Sequence, residues 1–497
     1  MFKIRPRLTA ACLFTASITA CHATSLLPED TKPNVLFIVA DDLNTALSGY
    51  GHPQCKTPNL DKLASAGVSF TQAYCQWPIC GPSRASILTG QYPLKNGVLG
   101  NGTPIKKERI TLPRHFMNNG YWSVRVSKLY HMRVPGDIVA GTNGDDHAPS
   151  WLERHNITAL ETYTPGQVEN VTAPQATEHY PEIRKRWEAE GLPREHARTL
   201  KGGHTWVIVK TEAKDSGLLP DAMAADKAIE VLRERAKKEE PFFMGFGLVR
   251  PHYPYVAPEH NFNAYPVSEI PLVKFSSEDM QNVPSQAINK DLRIDDDARK
   301  RIRQAYYATI SYMDEQVGRV LAEVDQLGLR DNTIIVFLSD HGYLLGEHQS
   351  WKKNLLWEEA TRVPLIIAAP GQQIKGVNCD HLVELVDLYP TLAELAGLPT
   401  DPGAQGLSLV PLLRDPERGG LLRKDTLSQA AGGYALRQGK WAYMWYPAKK
   451  KIPQASMLYD MDKDPGQLNN IAENPEFKTI REQLHKRLME RIELAKN

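Results

Sequence analysis

At 497 residues, with 42% hydrophobic and 24% charged side chains, the chain has an ordinary globular composition and enough length for a sizeable core. Its 59 basic residues against 58 acidic ones leave a net charge of +1, which excludes a broad phosphate-tracking face for nucleic acid but not a local basic pocket.

The chain opens MFKIRPRLTAACLFTASITACHATS, with Lys3, Arg5 and Arg7 ahead of a small-residue apolar run from Leu8 to Ala20. That pattern reads as a secretory signal over residues 1–23, and the run is too short to span a bilayer. Ile18-Thr19-Ala20-Cys21 resembles a bacterial lipobox, which would make Cys21 the acylated first residue; an ordinary cleavage at Cys21-His22-Ala23 stays open. The expectation is a secreted or periplasmic protein with no transmembrane helix, lipid-anchored if the lipobox is used. Of six cysteines, Cys55, Cys75, Cys80 and Cys379 remain once Cys12 and Cys21 are set aside. That is no disulfide framework for a chain of this size, so the core must hold the fold.

Past Lys32-Pro33, NVLFIVADD is a continuous apolar run ending in two acids, as in a strand buried on both faces of a parallel sheet. Similar runs follow at Trp122 to Val126, at Pro241 to Leu248 and at Thr333 to His341. Between them PNLDKLASAG, Leu219 to Lys238 and Asp297 to Leu327 read as helices, the last from the spacing of Ile302, Ala305, Ile310, Met313, Val317, Val320, Leu321 and Val324. Strand alternating with helix predicts an α/β fold with a large, mostly parallel central sheet flanked by helices. Residues 134–205 and 253–295 read as long loops around its working edge. A Pro- and Gly-bearing stretch at 398–420 separates a catalytic domain over 30–415 from a smaller C-terminal α+β subdomain over 421–497. There ALRQGKWAYMWYP and SMLYDMDKDP suggest a short antiparallel sheet, and Glu476 to Ala495 a closing helix.

Two apolar strands end in acid pairs, Asp41-Asp42 and Asp340-His341, and ligands of open α/β sheets gather beyond the carboxyl ends of the strands. Carboxylates converging there need a cation. Oxygen donors favour Ca²⁺ or Mg²⁺, while His341 leaves Mn²⁺ or Zn²⁺ open. In ICGPSRASILTG, Pro82 suits a first helical turn, which places Cys80 at a helix N-terminus that favours an anion. Arg84 adds a fork for a tetrahedral oxyanion. Taken by itself, Cys80 could also be a buried thiol, a partner for Cys75 or Cys55, or a thiolate nucleophile.

Cys80-Gly81-Pro82-Ser83-Arg84 resembles the C-x-P-S-R signature of the type I sulfatases of the alkaline phosphatase superfamily. Asp41-Asp42, Asp340-His341-Gly342 and LYDMDKDPGQLNN match further motifs of that family, from Asn34 to about Ala472. The resemblance implies an alkaline-phosphatase-like fold. It implies that a separate maturation enzyme oxidises Cys80 to Cα-formylglycine, whose hydrate attacks sulfur to give a covalent sulfo-enzyme. It also implies a Ca²⁺ held by Asp41, Asp42, Asp340, His341 and the modified Cys80. Asp340-His341, SKLYH, VRPHYP and GEHQSWKK are most similar to the iduronate-2-sulfatase group. By that likeness Lys128, His131, His252, Lys353 and Arg250 bind substrate. Arg84, Lys128 and Lys353 stabilise charge, His252, alone or with Lys353, protonates the leaving oxygen, and His131 acts as base. His348 is a further candidate, and Lys352 reads as surface. The implied substrate is a 2-O-sulfated uronic acid in a glycosaminoglycan or ulvan-type oligosaccharide. Alternatives are a choline sulfatase, a phosphodiesterase or phosphonate monoester hydrolase, and an inactive sulfated-glycan-binding protein.

Overall fold

The computed structural model describes residues 32–171, 206–273, 279–289, 295–417, 422–430 and 432–497. The leader over 1–23, with Cys21, and parts of both long loops lie outside these residues.

Central-sheet strands are numbered in chain order: β1 (Asn34–Asp41), β2 (Val68–Tyr74), β3 (Trp122–Ser127), β4 (Glu153–His155), β5 (Phe242–Pro251), β6 (Thr333–Ser339), β7 (Arg362–Ala368), β8 (Val377–Cys379) and β9 (Val383–Glu384). Their spatial order is β8-β2-β7-β6-β1-β5-β3-β4, with β9 also on β2. Every pairing is parallel except the two made by β7, which runs against both β6 and β2. Two reversals cancel, so β2 points the same way as β1 and β6. Pro364 in β7 has no N–H to give the ladder, and the register shifts between Val363 and Leu365.

All eight residues of β1 are buried, as a doubly covered strand requires. Successive side chains serve opposite layers. Leu36, Ile38 and Ala40 pack with α2 (Pro220–Arg235) and α3 (Asp296–Gln326). Val35, Phe37 and Val39 pack with α1 (Cys80–Thr89) and the helix Leu388–Leu395. Helix α3 starts where the Asp295 carboxylate accepts the Ala298 N–H at 2.7 Å, and the eight residues of its expected apolar stripe are buried.

The C-terminal sheet is an antiparallel meander of β10 (Asp425–Ala430), β11 (Gly433–Gln438), β12 (Trp441–Tyr446) and β13 (Ala455–Asp460), covered by α4 (Lys478–Lys496). Strand β10 docks on the chain just before α1. The Gln429 N–H donates to the Gln76 carbonyl at 2.9 Å, and the Ser428 hydroxyl to the Cys75 carbonyl at 2.5 Å. Cys55, Cys75, Cys80 and Cys379 are buried and unbridged, so packing rather than cross-linking holds the described chain.

Candidate active site

The ends of β1, β2, β3, β5 and β6 all open on one edge of the sheet, and each delivers part of a cluster there. Asp41 is the last residue of β1, and Asp42 follows it with φ +64°. A left-handed aspartate needs support. The buried Tyr306 of α3 supplies it, donating its hydroxyl to the Asp42 carbonyl at 2.7 Å while accepting the Asn44 N–H at 2.9 Å. Past β6, the Asp340 carboxylate accepts the N–H groups of Asp42 at 3.2 Å and His341 at 2.9 Å. Beyond β2, Cys80 is the first residue of α1, whose next N–H donates to the Asn101 side-chain oxygen at 2.7 Å. The short hairpin of Leu344–Leu345 and Trp351–Lys352 brings in Lys353.

Donor atoms of Asp41, Asp42, Cys80 and His341 all lie within 4.8 Å of one another, and all four residues are buried. Asp340 stands beside them, its Oδ2 3.6 Å from His341 Nε2. His341 Nδ1 lies 2.9 Å from the Gly342 carbonyl, so a proton there leaves the Nε2 lone pair facing the cluster. Asp42 Oδ2 is buried and has no hydrogen-bond partner. An orphaned carboxylate oxygen among hard donors fits a divalent cation such as Ca²⁺.

Three cations surround the acids. Arg84 is wholly buried and fully engaged: Nε donates to Asp340 Oδ2 at 2.8 Å, Nη2 to Asp41 Oδ1 at 3.2 Å, and Nη1 to the Lys128 carbonyl at 2.6 Å. Lys128 pairs with Asp41. Lys353 pairs with Asp42, its ammonium 3.1 Å from the Cys80 sulfur. Burial works against the Asp41 anion, yet Lys128, with His252 and Arg84, outweighs it and holds that carboxyl well below its ordinary range. Asp42 goes the other way: burial, opposed by Lys353 and reinforced by Asp41, pushes it up to about 7. Burial would raise the Cys80 thiol too, but Lys353 prevails and lowers it.

Above the cluster opens a cavity of about 670 Å³, walled by Cys80, Asn101, His131, Arg133, His252, Tyr253, Trp351, Lys352 and Lys353 among others. His252 places Nε2 3.7 Å from Asp42 Oδ2, and its Nδ1 contacts the Tyr253 carbonyl. Burial, then Lys353, holds its imidazole well below its ordinary pKa. His131 is pushed down to about 4 by burial and then by Lys128, so it is neutral at neutral pH.

Four expectations change. Arg250 does not reach the cavity: it is fully buried, paired to Glu161 at 2.6 Å and donating to the carbonyls of Val256 and His252 at 3.1 Å each. Its length is spent inside the fold because the β5 end turns back over it. Arg84 and Lys128 lie beneath the cavity wall, on Asp41 and Asp340, so the Arg84 fork grips carboxylates rather than an oxyanion. His348 stacks on Trp357, ring centroids 3.6 Å apart, away from the cavity. Lys352, read as surface, is on the cavity wall, and burial followed by Lys353 pushes its ammonium down to about 8. Tyr306 and Asn101 were missed altogether; a tyrosine inside a helical stripe and an asparagine in a loop carry no local sign of either role.

The family model described as "Sulfatase" matches residues 33–398, and one described as "N-sulphoglucosamine sulphohydrolase, C-terminal" matches residues 346–494. The chain is 33% identical over 474 residues to a "Sulfatase" of Formosa agariphila, covering 91% of this chain and 85% of that one. It is 32% identical over 420 residues to the iduronate 2-sulfatase of Mus musculus, covering 74% and 69%. In fold it is similar to the phosphonate monoester hydrolase of Agrobacterium radiobacter, with a TM-score of 0.73 and 24% identity over 93% of this chain and 96% of the other.

Proposed function

The chain belongs to the sulfatase family and is a sulfuric ester hydrolase; from that premise we propose that it removes sulfate from an acidic carbohydrate, with the 2-O-sulfate of a uronic acid as the preferred ester. The observation that carries this reading is the charge of the cavity wall. Among the described residues its cations are Lys352, Lys353 and Arg133, the last paired with Asp137, the imidazoles of His131 and His252 beside them are neutral, and the wall itself carries no carboxylate. The acids lie below, spoken for by Arg84, Lys128 and Lys353. A substrate with several negative groups is attracted to such a wall. A choline headgroup is repelled by the same cations, and the face of Tyr253 on the wall already holds the Lys352 ammonium at 4.9 Å. The likeness to the mouse iduronate 2-sulfatase supports the same choice.

In the proposed chemistry Cys80, once converted to formylglycine, would supply the nucleophilic oxygen, and Asp41, Asp42, Asp340 and His341 would hold a divalent cation that offsets the negative charge of the ester. Arg84 and Lys128 fix Asp41 and Asp340 so that neither swings into the cavity. Lys353 spans the Asp42 carboxylate and the Cys80 side chain and neutralises the sulfuryl group. His252 Nε2 faces the cavity over Asp42; burial and Lys353 keep the free imidazole neutral, and the negative charge of a bound sulfate ester would raise its pKa so that it takes up a proton and delivers it to the departing sugar oxygen. His131, neutral and on the wall, takes the proton whose removal frees sulfate. The basic apolar leader at 1–23 supports export to the periplasm or beyond.

A panel of defined sulfated disaccharides, with choline-O-sulfate and a phosphate monoester alongside, tests the reading. Fastest kcat/KM on a 2-O-sulfated uronate is expected. Preference for choline-O-sulfate or for the phosphate ester would overturn it.

A further inference from the structure

Before any conversion residue 80 is a thiol, and its sulfur sits among metal-type donors rather than apart from them. Cys80 Sγ lies 3.6 Å from Asp41 Oδ1 and 3.4 Å from His341 Nε2, and His341 Nε2 lies 3.4 Å from Asp42 Oδ1. All four residues are buried, with their donor atoms within 4.8 Å of one another. Donors held at Zn–N, Zn–O and Zn–S lengths of about 2.0 to 2.3 Å stand about 3.3 to 3.8 Å apart along the edges of a tetrahedron. The three separations here already fall in that range.

Donor type points the same way. Calcium takes about six to eight oxygen ligands, whereas thiolate and imidazole suit zinc. Two of the four donors here are a sulfur and an imidazole nitrogen. The imidazole is set for a metal: its Nδ1 rests 2.9 Å from the Gly342 carbonyl, which turns the Nε2 lone pair to the cluster. Asp340 stays outside the four, its Oδ2 accepting from Arg84 at 2.8 Å and its Oδ1 from the N–H groups of Asp42 and His341. The Lys353 ammonium lies 3.1 Å from the same sulfur and competes for it. A zinc–thiolate bond overcomes that competition, while a hard cation gains little from sulfur.

We infer that the unconverted protein carries a zinc site made of Asp41, Asp42, Cys80 and His341. Residue 80 then sets which metal the cluster selects: a soft one while it is a thiol, a hard one once oxygen replaces the sulfur. Cys80 binds as the thiolate, its proton passing to solvent. The inference stands on the cluster alone and does not depend on which ester the converted enzyme prefers. Partners outside a coordination shell are worth about ten- to a hundredfold in metal affinity, and a direct ligand is worth no less.

The test uses the full chain made without a formylglycine-generating enzyme, shown by mass to carry a thiol at residue 80, beside Cys80→Ser and Cys379→Ser. Zn²⁺ and Ca²⁺ affinities are measured by competition with a chromophoric chelator, and Co²⁺ is added as a spectroscopic stand-in for zinc. The wild type and Cys379→Ser are expected to prefer Zn²⁺ to Ca²⁺. Cys80→Ser is expected to lose at least about a hundredfold in Zn²⁺ affinity while its Ca²⁺ affinity changes less than about tenfold. Bound Co²⁺ should show a thiolate-to-metal charge-transfer band in the wild type and in Cys379→Ser but not in Cys80→Ser. The wild-type spectrum requires no variant to fold. A wild type that prefers Ca²⁺, or binds Co²⁺ without that band, would overturn the zinc site. So would Zn²⁺ affinity unchanged in Cys80→Ser, or a band lost in Cys379→Ser instead.

Discussion

Because Lys353 touches both Asp42 and Cys80, removing its ammonium has two consequences at once. The buried Asp42 carboxyl, already pushed up to about 7, loses the charge that opposes burial, and the sulfuryl group loses its nearest cation. Lys353→Ala is expected to lower kcat/KM on a sulfate ester by about a hundred- to a thousandfold, the range for one preorganised charge in a dry site. A steady-state assay on folded variant checks it. Lys353→Arg should rescue little, since a planar fork cannot reach both partners as a point charge does.

A second residue-scale prediction concerns acid stability. Burial, and then Arg303, pushes His52 from 6.5 down to about 4. Its Nδ1 accepts the Cys55 N–H at 3.0 Å, which requires the neutral ring. A depressed folded pKa means that the unfolded chain binds the extra proton between these values. The stability from neutral His52 is complete above pH 6.5 and is lost as the pH falls through about 4. His52→Phe should flatten the fall of the thermal midpoint between pH 6.5 and 4, measured by scanning calorimetry.

Among single residues, Asp41, Asp42, Cys80, Asp340 and His341 were legible because strand ends and a short motif mark them locally. Lys352 was not, since its surroundings come from Trp206 and Tyr253, far away in the chain.

At the scale of elements, the turn after β5 shows why a motif can name the right segment and the wrong contact. VRPH does bring His252 to the cavity, but Arg250 stays inside as a strut between Glu161 and the His252 carbonyl. Arg250→Met would strand a fully buried Glu161 carboxylate, at a cost of about 3–5 kcal/mol in urea unfolding. The double variant Arg250→Met/Glu161→Gln should recover part of it, because the orphaned charge is gone. An unchanged midpoint in Arg250→Met would refute the strut. The parallel strands β1, β3, β5 and β6 were readable as apolar runs, within a few residues at each end. Strand β7, RVPLIIA, was passed over: Pro364 interrupts the pattern, and hydrophobic period carries no information about strand direction.

At the scale of the whole molecule, a net charge of +1 conceals a strongly uneven distribution, with acids beneath the cavity and cations on its wall. Composition could exclude a nucleic-acid-binding face but could not foresee this arrangement, which only the sheet edge assembles. The C-terminal sheet contributes as well: its bonds to Cys75 and Gln76 hold the chain that leads into α1. The wall charge predicts that KM for a multiply anionic oligosaccharide rises with salt more steeply than KM for a monosulfated ester with no other charge, because screening weakens the longer-range attraction first. Parallel titrations with sodium chloride measure it.

All of these effects serve a single nucleophile derived from Cys80. The most direct measurement is mass analysis of the peptide carrying residue 80, from protein made with and without a formylglycine-generating enzyme, set against sulfatase activity on the same samples. The account predicts that an aldehyde replaces the thiol, that its fraction tracks specific activity, and that Cys80→Ala and Cys80→Ser are both inactive. Full activity in protein whose residue 80 is entirely an alkylatable thiol would contradict it.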